Sequence, residues 1–346
     1  MKSEVFLNRT KLNTESLLQI STVLMIIAVV VFFSVSTSTF MTAVNISNIL
    51  SNSTILMLVA VGLCFVIAAG GVDLSIAAAV DLGAMTSVLL LRAGTNWIIC
   101  IFAGLIAGSL LGLFNSFMVI KAKIAPFIAT LGSLFIVESI QQIITRGGEP
   151  IHLPGMNESF RFLGRGSLFM SDVALGRIDF RFSILLALIV ASAAFFVLSK
   201  TSFGRRVKAI GAQKDAAELA GIPVKRYICI AFVVCSCIAA LGGMVSAAVL
   251  TTYVPLSGRF FLMDAIGAVF IGTTFSKHGF VNVPGTIVGV VFFSIVNNGL
   301  NLLGIHMNWQ NVTIGILIFL FLALDAYRRN MMEKPPKLKI MKKEVK

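Results

Sequence analysis

The stretch Trp97–Ile120, WIICIFAGLIAGSLLGLFNSFMVI, decides the fold class. It is longer than the ~20 residues a helix needs to cross a bilayer core, and it holds no charged side chain. Runs of the same kind recur at approximately Leu17–Val35, Ile49–Ala69, Leu74–Leu91, Ile124–Ile144, Phe182–Leu198, Tyr227–Leu250, Phe261–Phe275, Phe280–Leu303 and Trp309–Ala326. Ten spans are therefore expected, and the class is an all-α polytopic membrane protein. The third and eighth runs are short and glycine-flanked, which marks them as candidates for broken or re-entrant segments. Composition agrees: 57% of residues are hydrophobic and only 12% charged, roughly half the charged share of a soluble domain.

A net charge of +13 raises nucleic acid as a partner. The basic residues argue against it, because they sit in loops and tails between spans, where they set membrane orientation. With Lys2, Arg9 and Lys11 inside, the cytoplasmic side also receives Lys121, Lys123, the cluster at 200–226, Lys277, and a tail containing Arg328 and Arg329. The loops 36–48 and 304–308 carry no Lys, Arg, Asp or Glu and fall outside. The expected organisation is a cytoplasmic segment 1–16, a membrane domain 17–327 and a basic cytoplasmic tail 328–346. An outer loop at 145–181 reads as a packed cap or amphipathic surface helix, or equally as an ordinary variable loop. The first run is longer than a signal-peptide core and no small-residue cleavage site follows it, so it is expected to remain as a span. Cys64, Cys100, Cys229, Cys235 and Cys237 all fall inside spans and read as small packing residues, not as a disulfide framework or zinc site.

Ten spans divide into five and five, and an odd half forces the two halves, about 17–145 and 182–327, into inverted orientations. At one constant offset Asn115, Thr130, Gly132 and Leu134 meet identical residues at Asn298, Thr313, Gly315 and Leu317. Inverted repeats place solute paths at their interface.

Asp73, Asp81, Asn115, Glu138, Gln141, Gln142, Asp264, Asn297, Asn298 and Asn301 lie within spans or at their ends. A charge at mid-bilayer costs about 3 kcal/mol even on the lenient insertion scale, so Asp81 and Glu138 must face protein or water. The candidates for a translocation path or gate are Asp73, Ser75, Asn115, Glu138, Asn298 and Asn301. The competing reading is inter-helical hydrogen bonding, a common use of membrane asparagine. Asn298 and Asn301 fall on one helix face. Gly70-Gly71-Val72-Asp73-Leu74-Ser75 reads as a helix break in which Asp73 or Ser75 caps the helix that follows. Gly272–Gly285 reads as its counterpart in the second half.

Thr201–Pro223, TSFGRRVKAIGAQKDAAELAGIP, is a charged helix-forming segment between two long apolar spans. Arg205, Arg206, Lys208 and Lys214 come close together. The run Asp215–Gly221, including Ala217 and Glu218, reads as a short helix with an acidic N-cap and a glycine stop. Such a helix does no work inside a bilayer, so it faces the cytoplasm and touches another protein. The chain has no G-x-x-x-x-G-K-[ST] phosphate loop and does not itself hydrolyse ATP. His152, His278 and His306 are scattered, and no catalytic or metal constellation is read.

Four stretches, taken in order, resemble the permease subunits of bacterial ribose-type ATP-binding-cassette importers. They are GGVDLS at 70–75, IAPFIATLG at 124–132, TSFGRRVKAIGAQKDAAELAGIPV from Thr201, and NNGLNLLGI at 297–305. The resemblance runs from about Asn45 to Asp325. It implies a dimeric permease, either two copies or a copy and a paralogue, in the bacterial inner membrane. It also implies two cytoplasmic ATPase subunits that hold ATP and Mg, and a periplasmic or lipoprotein solute-binding protein. By resemblance, the helix carrying Arg205, Lys214, Asp215, Ala217, Glu218 and Gly221 couples to the ATPase, and the path carries a monosaccharide or related polyol. Two stretches depart from the family: GTTFSKHGFVNVPG stands at 272–285 where a glycine-rich run is usual, and Ala77–Ala79 follow GGVDLS. A furanose-like signal molecule, a nucleoside or a branched-chain amino acid therefore stays open as the solute. From outside the class, an ion-coupled transporter working alone would use Asp81 and Glu138 as its ion sites, and a structural or receptor-only protein would transport nothing.

Overall fold

The computed structural model describes residues 20–173, 176–276 and 279–333. The segment 1–16 with Lys2, Arg9 and Lys11, the residues Lys277 and His278, and the tail beyond 333 lie outside the described residues. In chain order the helices are α1 (Ile20–Ser36), α2 (Ala43–Ala68), α3 (Ile76–Arg92), α4 (Trp97–Ile120), α5 (Pro126–Ile144), α6 (Glu158–Arg165), α7 (Phe182–Lys200), α8 (Ser202–Ala212), α9 (Lys214–Leu219), α10 (Val224–Leu250), α11 (Arg259–Thr274), α12 (Val283–Leu302) and α13 (Met307–Glu333). All but the short α6, α8 and α9 overlie the apolar runs. Six of them, α2, α4, α5, α7, α10 and α12, are long and apolar enough to cross a membrane by length and composition. The chain is a polytopic helical membrane protein.

Helix starts follow local chemistry more than hydropathy. α2 begins upstream of its apolar run because Thr42 caps it, its Oγ1 accepting from Asn45 N at 3.4 Å. The polar first turn, with Asn45 and Ser47, is buried. α3 and α11 are each unbroken, with 17 and 16 residues. They are short because each is entered through a non-helical turn. All five cysteines are free thiols, with Cys64, Cys100 and Cys235 buried.

Glycine sets how closely the helices approach. Gly104, Gly108 and Gly112 share one face of α4. A Cβ at Gly108 would meet Ser236 O at 2.7 Å, and one at Gly112 would meet Phe232 O at 2.5 Å, so α4 lies directly on the α10 backbone. Gly272 and Gly285 serve the same purpose. Each lies inside a helix, and a Cβ at Gly272 would strike Thr286 N at 2.6 Å. The helix break expected within Gly272–Gly285 is present, since α11 ends at Thr274 and α12 begins at Val283; the glycines at its two ends bring the helices together.

α10 packs on α3 and α4, while α2 packs on α11 and α12. The N-terminal and C-terminal parts therefore exchange a helix. α2 is buried along most of its length. The 145–181 loop is a structured cap, not a plain connection. Its helix α6 turns Phe160 inward and leaves Glu158 exposed, and the strands β2 (Ser167–Val173) and β3 (Gly176–Arg181) form an antiparallel hairpin. Two short strands, β1 (Ile151–His152) and β4 (Thr252–Tyr253), tie the cap to the end of α10, where Arg165 Nε donates to Val249 O at 2.6 Å. These strands are the departure from an all-helical chain.

Candidate functional site

The segment 201–223 folds as two helices, not one. Thr201 caps α8, accepting from Gly204 N. A buried stripe of Gly204, Val207 and Ile210 seats the helix, and Arg206 reaches Tyr227 OH at 2.6 Å. Lys208 is half-buried, and desolvation lowers its pKa below the usual lysine value. The chain then breaks at Gln213, in extended conformation, before α9. Asp215 is therefore not the N-cap, as the sequence suggested. It lies in the first turn, where its charge still meets the positive helix end. The glycine stop is as expected: Gly221 has φ +77°, and Ile222 N bonds back to Ala217 O at 3.0 Å. Ala217 is the buried residue of α9. Arg205, Lys214, Asp215 and Glu218 are exposed, and Leu219 is 90% exposed. A cavity of about 630 Å³ opens between α9, the α4–α5 turn and Gly70–Gly71, with Lys123, Lys214, Glu218 and Lys225 on its walls.

The α8 helix ends against the turn that opens α3. A Cβ at Gly211 would lie 2.3 Å from Ala68 O, and one at Gly70 would lie 3.0 Å from Gly211 Cα. Nothing larger than glycine fits at that contact, and Gly70 itself has φ +79°. Just beyond it, three expected path residues meet. Asp73 Oδ1 accepts from Ser75 N at 2.9 Å and from Ser75 Oγ at 2.6 Å, and Asn115 Nδ2 donates to Ser75 Oγ at 2.6 Å. Thr130 of α5 joins them, its Oγ1 accepting from Leu74 N at 3.1 Å. Ser75 occupies the N-cap position of α3 without a side-chain cap bond. Asp73 instead satisfies the Ser75 N–H.

A second polar group surrounds the turn that opens α11. Asp81 of α3 accepts from Ser257 Oγ at 2.9 Å and from Gly258 N at 3.0 Å. Glu138 of α5 forms a two-pronged ion pair with Arg259. Gln141 Oε1 accepts from Tyr253 OH at 3.0 Å and from Leu256 N at 3.4 Å. Thr251 and Leu256 both have positive φ, so the backbone bends sharply on either side of Tyr253. Sequence reasoning missed Arg259, Ser257 and Tyr253. The signal available was a lone arginine directly before the eighth apolar run.

The remaining candidates lie apart. Asn298 makes a reciprocal amide pair with Asn45, both bonds 2.9 Å. Asn301 is exposed and accepts from Gln310 at 2.8 Å, so the two asparagines do not act as one pair. Asn297 donates to Asp264 at 2.7 Å.

Long apolar helices, two buried polar turns and an exposed helix pair at one end define a membrane permease. Its polar groups hold helices together and form no reaction centre. The chain belongs to the family described as branched-chain amino acid transport system / permease component, whose model matches residues 45–322. It is 33% identical to the ribose import permease protein of Bacillus subtilis, over 74% of this chain and 76% of that one. It is 29% identical to the galactose/methyl galactoside import permease protein of Haemophilus influenzae, over 75% and 79%. It is 31% identical to the D-allose transport system permease protein of Escherichia coli K12, over 74% and 75%. No solved structure matches it. The chain is thus the multi-pass permease component of an ATP-binding-cassette importer and not itself an enzyme. The stand-alone ion-coupled reading falls with this assignment, and its two ion-site candidates, Asp81 and Glu138, are engaged by Ser257, Gly258 and Arg259.

Proposed function

We propose that this permease forms the path for a monosaccharide or related small polyhydroxy solute, driven through α8 and α9 by a separate ATPase that holds ATP and Mg. The relatives named for ribose, galactose and allose support the solute class. So does an interior rich in hydroxyl and amide groups, which suits a neutral ligand. In this reading the chain crosses the membrane ten times as two inverted five-helix halves, with both termini, α8 and α9 in the cytoplasm. The helix exchange of α2 and α10 supports the inversion, and the basic residues around α9 support the orientation. A solute-binding protein docks at the 145–181 end, and a second permease, a copy or a paralogue, completes the path. Asp73, Ser75 and Asn115 gate the inner side, with Glu138, Asn298 and Asn301 further along.

One observation carries the coupling assignment: the backbone contact of Gly211 with Ala68 and Gly70. Motion delivered to the exposed residues Arg205, Lys214, Asp215, Glu218 and Leu219 passes through α8 into the turn that holds Asp73 and Ser75, with no flexible side chain between. Ala217→Pro tests it. Proline removes the Ala217 N–H that bonds Gln213 O at 3.1 Å and breaks α9, while the membrane helices are untouched. In the assembled importer in proteoliposomes, ATP hydrolysis should persist while uptake of radiolabelled sugar stops, and Glu218→Lys should give a partial form of the same defect. Normal uptake by Ala217→Pro would sink the assignment. Uptake of leucine in place of ribose, galactose or allose would replace the sugar by the solute in the family's description.

A further inference from the structure

Arg259 is out of place for a membrane helix. Its side chain is 51% exposed, while its partner Glu138 is 3% exposed. Depth follows from the helices that hold the turn. Glu138 lies roughly 9 Å from the Ile144 end of α5, and Asp81, which binds Gly258 N, lies roughly 16 Å from the Arg92 end of α3, at 1.5 Å per residue. The guanidinium therefore sits well below the ends of the surrounding helices. A free arginine at such depth extends its long side chain back to the interface. Arg259 cannot, because Nε and Nη2 are both engaged by the Glu138 carboxylate. An arginine facing lipid at that depth costs about 3 kcal/mol on the insertion scale and far more in simulation. Lipid is thus the costliest surrounding for the exposed part of this side chain, and water is the one that satisfies its remaining N–H groups.

The groups around it specify what that water accompanies. Of the five guanidinium N–H groups, two bind Glu138, which leaves three donors. Asp81 Oδ2 and Gln141 Nε2 are buried with no hydrogen-bond partner among the described residues, so both are closed to a solute and the accessible donors here are those of Arg259. Two carboxyls flank a single guanidinium, so an anionic solute meets no net positive charge here. A neutral molecule whose hydroxyl oxygens accept from the guanidinium fits the set.

We propose that Arg259, anchored by Glu138, is a solute-contacting residue of the aqueous path, offering its remaining N–H groups to the hydroxyl oxygens of a passing polyol. The contact rests on the sugar-import reading above, but its location in water does not. The test is thiol labelling in membrane vesicles of the full chain, using Arg259→Cys and the double variant Glu138→Gln/Arg259→Cys, which also removes the Glu138 carboxylate that loses its partner. A cationic, membrane-impermeant methanethiosulfonate should modify both variants about tenfold faster than the native cysteines of the parent chain. In the assembled importer, Arg259→Lys should retain most uptake of whichever of ribose, galactose or allose the parent transports. Glu138→Gln/Arg259→Gln should lose about tenfold. If neither cysteine variant reacts with the impermeant reagent while both react with a permeant maleimide, Arg259 faces lipid or a second copy of the chain and the proposal is overturned. Unchanged uptake by Glu138→Gln/Arg259→Gln would also overturn the solute contact. A parent importer that takes up none of the three sugars would strike the sugar reading instead, and the labelling would still decide where Arg259 lies.

Discussion

The turns that open α3 and α11 share the pattern V-x-L-S, at 72–75 and 254–257, yet they are held in opposite ways. The first carries its own acid. Asp73 binds the Ser75 backbone and hydroxyl, Asn115 and Thr130 close around it, and α8 presses on it from Gly211. The second has Pro255 where the first has Asp73, and its acids come from elsewhere: Asp81 on α3 and Glu138 on α5. One turn is therefore self-contained and lies against α8. The other is suspended from the helix that the first turn begins. Because α3 is one unbroken helix from Ile76, a shift at the turn that opens it would arrive at Asp81 about 8 Å along it, and from there at Ser257, Gly258 and Arg259. In the coupling proposed above, the first turn would receive motion and the second would respond to it.

The sharpest way to break this pairing is at Gly211. Gly211→Val drives a branched side chain into Ala68 O, so α8 cannot seat. ATP-driven uptake should fall about tenfold or more while ATP hydrolysis continues, a loss at the upper end of what coupling contacts carry. In stability, the largest effect is that of Arg259→Ala, which leaves Glu138 buried without its partner at a cost of about 3 kcal/mol. It should appear as a lower melting temperature in detergent, read by a thiol-reactive dye that reports exposure of buried Cys64, Cys100 and Cys235. Asp73→Ala removes the acceptor for the Ser75 N–H and should cost about 2 kcal/mol in the same assay, with Asp73→Asn milder because its amide oxygen still accepts. Ser257→Ala should be the smallest effect, about 1 kcal/mol, because Gly258 N still binds Asp81. If Ser257→Ala proves as damaging as Asp73→Ala, the two turns are held alike and the contrast fails.

Much of this was legible in the sequence. The apolar runs mark the long helices because the bilayer demands length and hydrophobicity together, and no other constraint imitates that. Asp73, Ser75 and Asn115 stood among six path candidates, but the sequence did not show that they form one hydrogen-bonded set. Arg259 was not legible, since its partner Glu138 lies 121 residues away and a lone arginine at a span boundary resembles any loop cation. Gly272 and Gly285 flank the expected break, but their close helix crossing was not legible, because glycine permits both a turn and a close approach and composition does not separate the two. Asp215 misled in a smaller way: an acid in the first turn and an acid at the cap look alike until the backbone at Gln213 is known. The 145–181 cap, with its hairpin, could not be derived from punctuation alone.

The exchange of α2 and α10 also bears on how the chain is made. Membrane helices leave the ribosome in order, and α2 emerges long before α10, α11 and α12, the helices that cover it. Until they arrive, Asn45, buried in the finished protein, has no Asn298 to pair with. The N-terminal five helices are then an unfinished intermediate and not a folded unit. The insertion machinery must shelter α2 until late in synthesis. A chain cut within 145–181 should assemble only when both pieces are produced in the same cell.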